Sequence, residues 1–135
     1  MSHPQQHIMV VEDDETIRDS LLEYLADKGY QTKGAADGKE ALDALAADPV
    51  APCQIVLDLM MPVMDGWTFR AEQMRDPHLA QIPVVVVSAV RDVAKQVKDL
   101  GLIGCLKKPI DLKQLLTIVS EHCCSGARNA SSPST

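Results

Sequence analysis

Short apolar runs and helix-spaced apolar residues alternate five times along this chain. Residues 8–11 form an apolar run that stops at three acids, Glu12, Asp13 and Asp14. Ile17, Leu21, Leu22 and Leu25 then recur at the spacing of one helix face, and Gly29 follows as a stop signal. Residues 30–34 predict a weak second strand. Asp37 with Glu40 reads as a capping box, Ala41, Leu42 and Leu45 give that helix an apolar side, and Pro49 ends it. Residues 54–58 predict a third strand, and 66–75 a helix carrying Trp67, Phe69 and Met74. Residues 83–88 contain four consecutive valines, the signature of a strand buried on both faces. Val90, Val93, Val97 and Leu100 repeat helically up to Gly101, which is placed as a C-terminal cap. A marginal fifth strand, 102–106, precedes a last helix opened by Asp111 and Gln114, with Leu112, Leu115, Leu116 and Val119 as its buried stripe.

Strands that alternate with helices and are apolar without interruption belong to a parallel sheet. The predicted fold class is therefore α/β, a doubly wound five-stranded parallel sheet with helices on both faces and right-handed crossovers. One domain spans 8–122, while 1–7 and 123–135 lack apolar patterning and are expected to be disordered. Ligands of such sheets bind beyond the carboxyl ends of the strands, near a topological switch point. Glu12, Asp13, Asp58, Ser88 and Lys108 all follow apolar runs, so the topology can bring them to one edge.

With 135 residues the chain can bury one real core. Aromatic residues make up only 3%, so aliphatic side chains must fill it. A net charge of -6 argues against direct nucleic-acid binding, which needs a basic footprint. The apolar stretches are too short for a membrane span, and the polar N-terminus lacks signal-peptide character, so a cytoplasmic location is expected. Cys53, Cys105, Cys123 and Cys124 show neither CxxC nor metal-ligand spacing; they read as free thiols, with a redox role for the vicinal pair as the weaker alternative.

The candidate chemistry begins at Asp58, a lone carboxylate closing an apolar strand and followed by Leu59-Met60-Met61-Pro62. Asp is depleted in strands, so its place there asks for a reason. Acids at 12–14 could simply start a helix, since negative charge suits that end of the dipole. One acid suffices as a cap, however, and several crowded carboxylates repel each other unless a cation joins them. A hard, oxygen-only site of this kind suits Mg²⁺ or Mn²⁺. Ser88 reads blandly as a hydroxyl bonding backbone, and Lys108 as a surface lysine. A cis Lys108–Pro109 bond at a strand-to-helix joint would aim Lys108 into the acidic pocket.

These residues together resemble the receiver domain of two-component response regulators. The resemblance rests on Val10-Val11-Glu12-Asp13-Asp14, on Asp58-Leu59-Met60-Met61-Pro62 with Met64-Asp65-Gly66, on Val87-Ser88-Ala89 and on Lys108-Pro109. Asp58 follows Asp13 by 45 residues, Ser88 follows Asp58 by 30, and Lys108 follows Ser88 by 20. The resemblance implies a CheY-like (βα)5 flavodoxin-like receiver fold in which Asp58 is the phosphoacceptor. It implies that Asp13 and Asp58 ligate Mg²⁺ directly, that Met60 offers a backbone carbonyl, and that Glu12 acts through a metal-bound water. Ser88 and Lys108 would contact the phosphoryl group. The implied donor is a sensor histidine kinase or a phosphotransfer protein. The implied output is a protein contact through the fourth helix, fifth strand and fifth helix, with no direct nucleic-acid or membrane contact.

Three positions depart from the family pattern. Cys105 stands where receivers usually place Tyr or Phe, so the usual aromatic switch is missing. The interval from Ser88 to Lys108 is short, which predicts a short or irregular fourth helix. Met60 and Val90, two residues beyond Asp58 and Ser88, tune access of hydrolytic water in receivers, and both are apolar here. Slow autodephosphorylation is the resulting expectation. The resemblance favours a stand-alone phosphorylation switch rather than a turnover enzyme. The alternatives are a phosphorelay shuttle, a receiver excised from a larger hybrid kinase or regulator, an unphosphorylated adapter, and a Mg²⁺-dependent phosphohydrolase.

Overall fold

The computed structural model describes residues 7–122. The expected disorder of 1–6 and 123–135, and the vicinal Cys123 and Cys124, lie outside the described residues. The elements in chain order are β1 (His7–Val11), α1 (Glu15–Asp27), β2 (Gln31–Ala35), α2 (Gly38–Ala47), β3 (Gln54–Asp58), α3 (Gly66–Met74), α4 (Pro77–Ala80), β4 (Val84–Ser88), α5 (Val93–Gln96), β5 (Gly104–Lys107) and α6 (Leu112–His122). The five strands form one parallel sheet in the order β2-β1-β3-β4-β5. The chain turns one way from β1 to β2 and the other way to β3, so the switch point lies between β1 and β3.

The two faces follow from the strand period of two. Met9, Val11, Ile55, Leu57, Val84 and Val86 face α2, α3 and α5, with Phe69 buried at the centre of that layer. Ile8, Val10, Val56, Val85 and Val87 face α1 and α6, against Leu21, Leu25, Leu115 and Val119. Glu12 and Asp58 continue the even-numbered series on β1 and β3. The inner strands β1, β3 and β4 therefore read as buried runs because both faces are covered, as expected of parallel sheets, whereas the edge strands β2 and β5 are partly exposed.

Several boundaries differ from the sequence reading, each for a physical reason. β1 begins at His7, the last residue of the supposed N-terminal tail. His7 pairs with Gln31, and its carbonyl accepts from Cys53 N at 2.8 Å, so backbone bonding rather than apolarity extends the strand. Aspartate Oδ1 of Asp37 accepts from Glu40 N at 2.8 Å, but the returning Glu40 carboxylate bonds Ala36 N, one residue before the cap. An additional one-turn helix, α4, arises at Asp76-Pro77, where Asp76 caps and proline supplies the first helical φ. The expected short helix after β4 is α5, only four residues long and closed by Val97, so Gly101, left-handed at φ +67°, lies beyond it and is not its cap. In α6, Ile118 rather than Leu116 joins the packed layer. Cys53 is disulfide-bonded, contrary to the free-thiol reading. The cysteine spacing carries no motif that would reveal this bridge. Cys105 is free.

Helix α3 carries two polar residues on its buried side. Arg70 donates to the carbonyls of Leu100 and Gly101 at 3.0 and 3.1 Å and to Gln73 Oε1 at 2.8 Å. Gln73 Nε2 donates onward to Leu79 and Ile82 carbonyls. These bonds satisfy loop carbonyls that a buried connection cannot expose to water, and they tie α3 to the segments entering β4 and β5.

Candidate functional site

The acids after β1 divide their work. Glu12 N still bonds Ala35 O at 3.0 Å, so the strand ladder carries Glu12 to the sheet edge, where it is only 1% exposed. Its Oε2 accepts from Asp14 N at 3.1 Å. Asp14 caps α1 by accepting from Ile17 N at 3.0 Å, so the helix-cap reading holds for Asp14. Asp13, between them, stands exposed at the rim.

Asp58 is the last residue of β3 and is 3% exposed. The loop after it folds back sharply. Gly66 N donates to Leu59 O at 2.8 Å, and a Cβ at position 66 would lie 2.4 Å from Asp58 O and 2.8 Å from Leu59 Cα. Only glycine permits that approach. Asp65 then caps α3 through Thr68 N at 2.8 Å. Within the loop Val63 has φ +66°, a rare conformation for a β-branched residue. The Met60 side chain is 60% exposed, so it stands in solvent over the loop, while Val90 packs against the core.

Lys108 reaches the same edge from the end of β5. Its N–H donates to Ser88 O at 2.9 Å, and the Lys108–Pro109 bond is cis. The ammonium lies 3.3 Å from Asp58 Oδ2 and 2.7 Å from Glu12 Oε1. The second contact is an ion pair whose angles fall outside those of a hydrogen bond, so Glu12 Oε1 has no aligned donor. Ser88 is fully buried one residue past the Asp58–Val87 register pair, and its Oγ accepts from Val90 N at 3.2 Å. Ser88 thus makes the backbone contact anticipated by its bland reading.

Carboxylate oxygens of Glu12, Asp13 and Asp58 lie within 4.8 Å of one another. Burial pushes the Glu12 pKa above the usual carboxylate range; the Asp58 charge adds to this, while Lys108 and the Asp14 N–H oppose it. Burial alone would lower the Lys108 pKa, but its contacts with Glu12 and Asp58 outweigh this and raise it. The ammonium therefore stays charged, and one cation faces three acids. An all-oxygen donor set with an incompletely bonded buried oxygen fits a hard divalent cation.

A family model for the response regulator receiver domain matches residues 8–120. The chain belongs to the response regulator receiver family. Relatives of the receiver include the response regulator MprA of Mycolicibacterium vanbaalenii, 40% identical over 111 residues, which cover 81% of this chain and 46% of that protein. MprA of Mycobacterium tuberculosis matches with the same identity and coverage. The receiver thus spans about half the length of these curated relatives. Among solved structures it is similar to a response regulator receiver protein from Pseudomonas putida, with TM-score 0.80, 29% identity, and 86% and 96% of the two chains covered. It is also similar to the chemotaxis protein CheY4 of Vibrio cholerae, with TM-score 0.77, 28% identity, and coverage of 87% and 98%. Phosphorylation on aspartate is a general property of this family, and its members typically bind Mg²⁺ at an acidic pocket.

The receiver thus gathers Glu12, Asp13, Asp58 and Lys108 into one cluster and sets Ser88 beside it. Cys105 lies farther down, opposite Val86 on β4 and packed against the α2/α3/α5 layer. Sequence reasoning passed over Val63, Arg70 and Gln73. A polar residue on the buried side of an amphipathic helix could have flagged the last two; Val63 carries no local signal for a left-handed backbone.

Proposed function

We propose that Asp58 accepts a phosphoryl group from the phosphohistidine of a sensor histidine kinase or phosphotransfer protein and thereby switches a protein-interaction surface. The observation that carries this reading is the Lys108 ammonium set between Asp58 and Glu12, with Asp13 beside them. Phosphoryl transfer depends on positioning and charge neutralisation more than on covalent help. An Asp58 carboxylate oxygen forms the new bond to phosphorus, while the bond from phosphorus to the donor nitrogen breaks and its electron pair returns to the imidazole. Lys108 follows the charge from the carboxylate to the phosphoryl oxygens. Ser88 exchanges its bond to Val90 N for one in which its hydroxyl donates to the phosphoryl group.

Asp13, Asp58 and the Met60 backbone carbonyl would hold Mg²⁺, with Glu12 acting through a water. That ion would supply the positive charge that Lys108 alone does not. The product is an aspartyl phosphate. Its charge biases the surface formed by α5, β5 and α6, toward which a downstream protein partner docks. The same reading makes the chain a cytoplasmic phosphoacceptor switch that acts on itself, not a turnover enzyme. No helix among the described residues is long and apolar enough to cross a membrane.

Incubation with a radiolabelled phosphohistidine donor and Mg²⁺ tests the proposal. Stable label on the wild type and none on Asp58→Asn is the expected result. An unlabelled, folded wild type would favour an adapter, and rapid release of inorganic phosphate with sustained turnover would favour a hydrolase. The hydrolase reading is the weaker one, because such enzymes want a second acid where this chain has Met60.

A further inference from the structure

Arg18 lies in the second turn of α1, outside the cluster assigned above, yet it bonds into it. Its Nη1 donates to the Glu12 carbonyl oxygen at 2.8 Å. That oxygen belongs to the peptide joining Glu12 to Asp13, beyond the last residue of β1. The nitrogen side of Glu12 is fixed by Ala35 O, and the Glu12 carboxylate by Asp14 N and Lys108. Arg18 therefore sets the tilt of the one peptide plane that launches Asp13 from the sheet edge.

A second, independent feature serves the same contact. Gly34, an exposed strand residue, pairs in register with Val10. A Cβ there would lie 3.1 Å from Arg18 Cδ and 3.1 Å from Leu22 Cδ1. Glycine weakens a strand interior and often marks a close approach. Here it leaves a notch in β2 along which the Arg18 stem lies flat, so the guanidinium arrives at Glu12 O from one direction.

We infer that Arg18, seated in the Gly34 notch, is a positioning residue for the divalent-cation pocket. This rests on the reading of Glu12, Asp13 and Asp58 as a cation site. Charge and position predict opposite signs. Removing a cation from beside an acidic pocket should tighten binding of a divalent ion. Releasing the peptide that orients Asp13 should loosen it, because partners that orient metal ligands commonly govern affinity.

The test is Mn²⁺ binding to the unphosphorylated chain, followed by electron paramagnetic resonance, for wild type, Arg18→Met and Gly34→Ala, with urea unfolding of each in cation-free buffer. Arg18→Met keeps most of the stem and loses the donor; Gly34→Ala keeps the charge and displaces the stem. The expected result is a loss of Mn²⁺ affinity of about tenfold in folded Arg18→Met. A smaller loss is expected in Gly34→Ala, and the two losses should be non-additive in the double variant. Unchanged or tighter binding in either folded single variant overturns the inference while leaving the cation site standing. A folded wild type that binds no Mn²⁺ overturns both.

Discussion

Replacing Lys108 with Met removes the ammonium and keeps the bulk of the stem. What remains is Glu12, 1% exposed, beside Asp58, 3% exposed, with no opposite charge from β5. At the recorded separations of 2.7 and 3.3 Å, an effective dielectric near 20 gives roughly 5–6 kcal/mol of gross attraction per pair. The ammonium gives up several kcal/mol of hydration to be there, so the net loss on removal is about 3–5 kcal/mol, the usual cost of breaking a buried pair from one side. Protonation limits that loss. The Glu12 pKa already stands above the ordinary range because of burial, so its ionised form weakens the fold as pH rises through the folded value. Without Lys108 it rises further, and the variant's deficit therefore grows with pH and shrinks in acid. Urea unfolding followed by Trp67 fluorescence, at pH 7.5 and at pH 5.0, measures this directly. Millimolar Mg²⁺ should recover part of the loss at the higher pH by supplying the missing charge. A deficit below about 1 kcal/mol at pH 7.5, or one that is equal at both pH values, would refute the reasoning.

Four further outcomes follow from the loop after Asp58, from Val90 and from the cysteines. Val63→Gly should stabilise the chain by about 1 kcal/mol in urea unfolding, since relief of the left-handed valine exceeds the entropy cost of glycine; destabilisation would argue against strain at φ +66°. Gly66→Ala should cost about 2 kcal/mol or more and slow phosphorylation of Asp58, because the added carbon meets backbone that cannot yield cheaply; unchanged labelling kinetics would contradict the clamp. The aspartyl phosphate should decay slowly, over many minutes, if Val90 and Met60 keep water from it; Met60→Glu and Val90→Glu should each shorten its life, and a wild-type half-life of seconds would end this account. Cys53 should resist alkylation until a reductant is added, whereas Cys105 should react on unfolding without one.

The fold was legible because its cause is local and repeated. Four valines in β4 and the runs of β1 and β3 are apolar on both faces only if helices cover both, and the five repeats leave little choice of topology. The edge cluster was legible for the same reason, since each acid or lysine closes such a run. Strand ends were less visible. His7 and Gln31 pair through backbone groups that every residue carries, so their side chains do not announce the strand. Arg70 and Gln73 were missed because their polar side chains suggest a solvent-facing position, although they share the buried stripe of Phe69 and bond there to carbonyls of the two segments entering β4 and β5. Arg18 was missed for a different reason. Its partner is a main-chain oxygen and its seat is an absent side chain at Gly34, neither of which appears as a motif.

Intact-protein mass spectrometry after exposure to a small-molecule phosphodonor, with and without Mg²⁺ and followed by peptide mapping, tests the central claim most directly. The account predicts a single added phosphoryl group that requires the divalent cation and maps to Asp58. A modification that forms equally well in chelator, or that maps to another residue while Asp58 stays free, would contradict it.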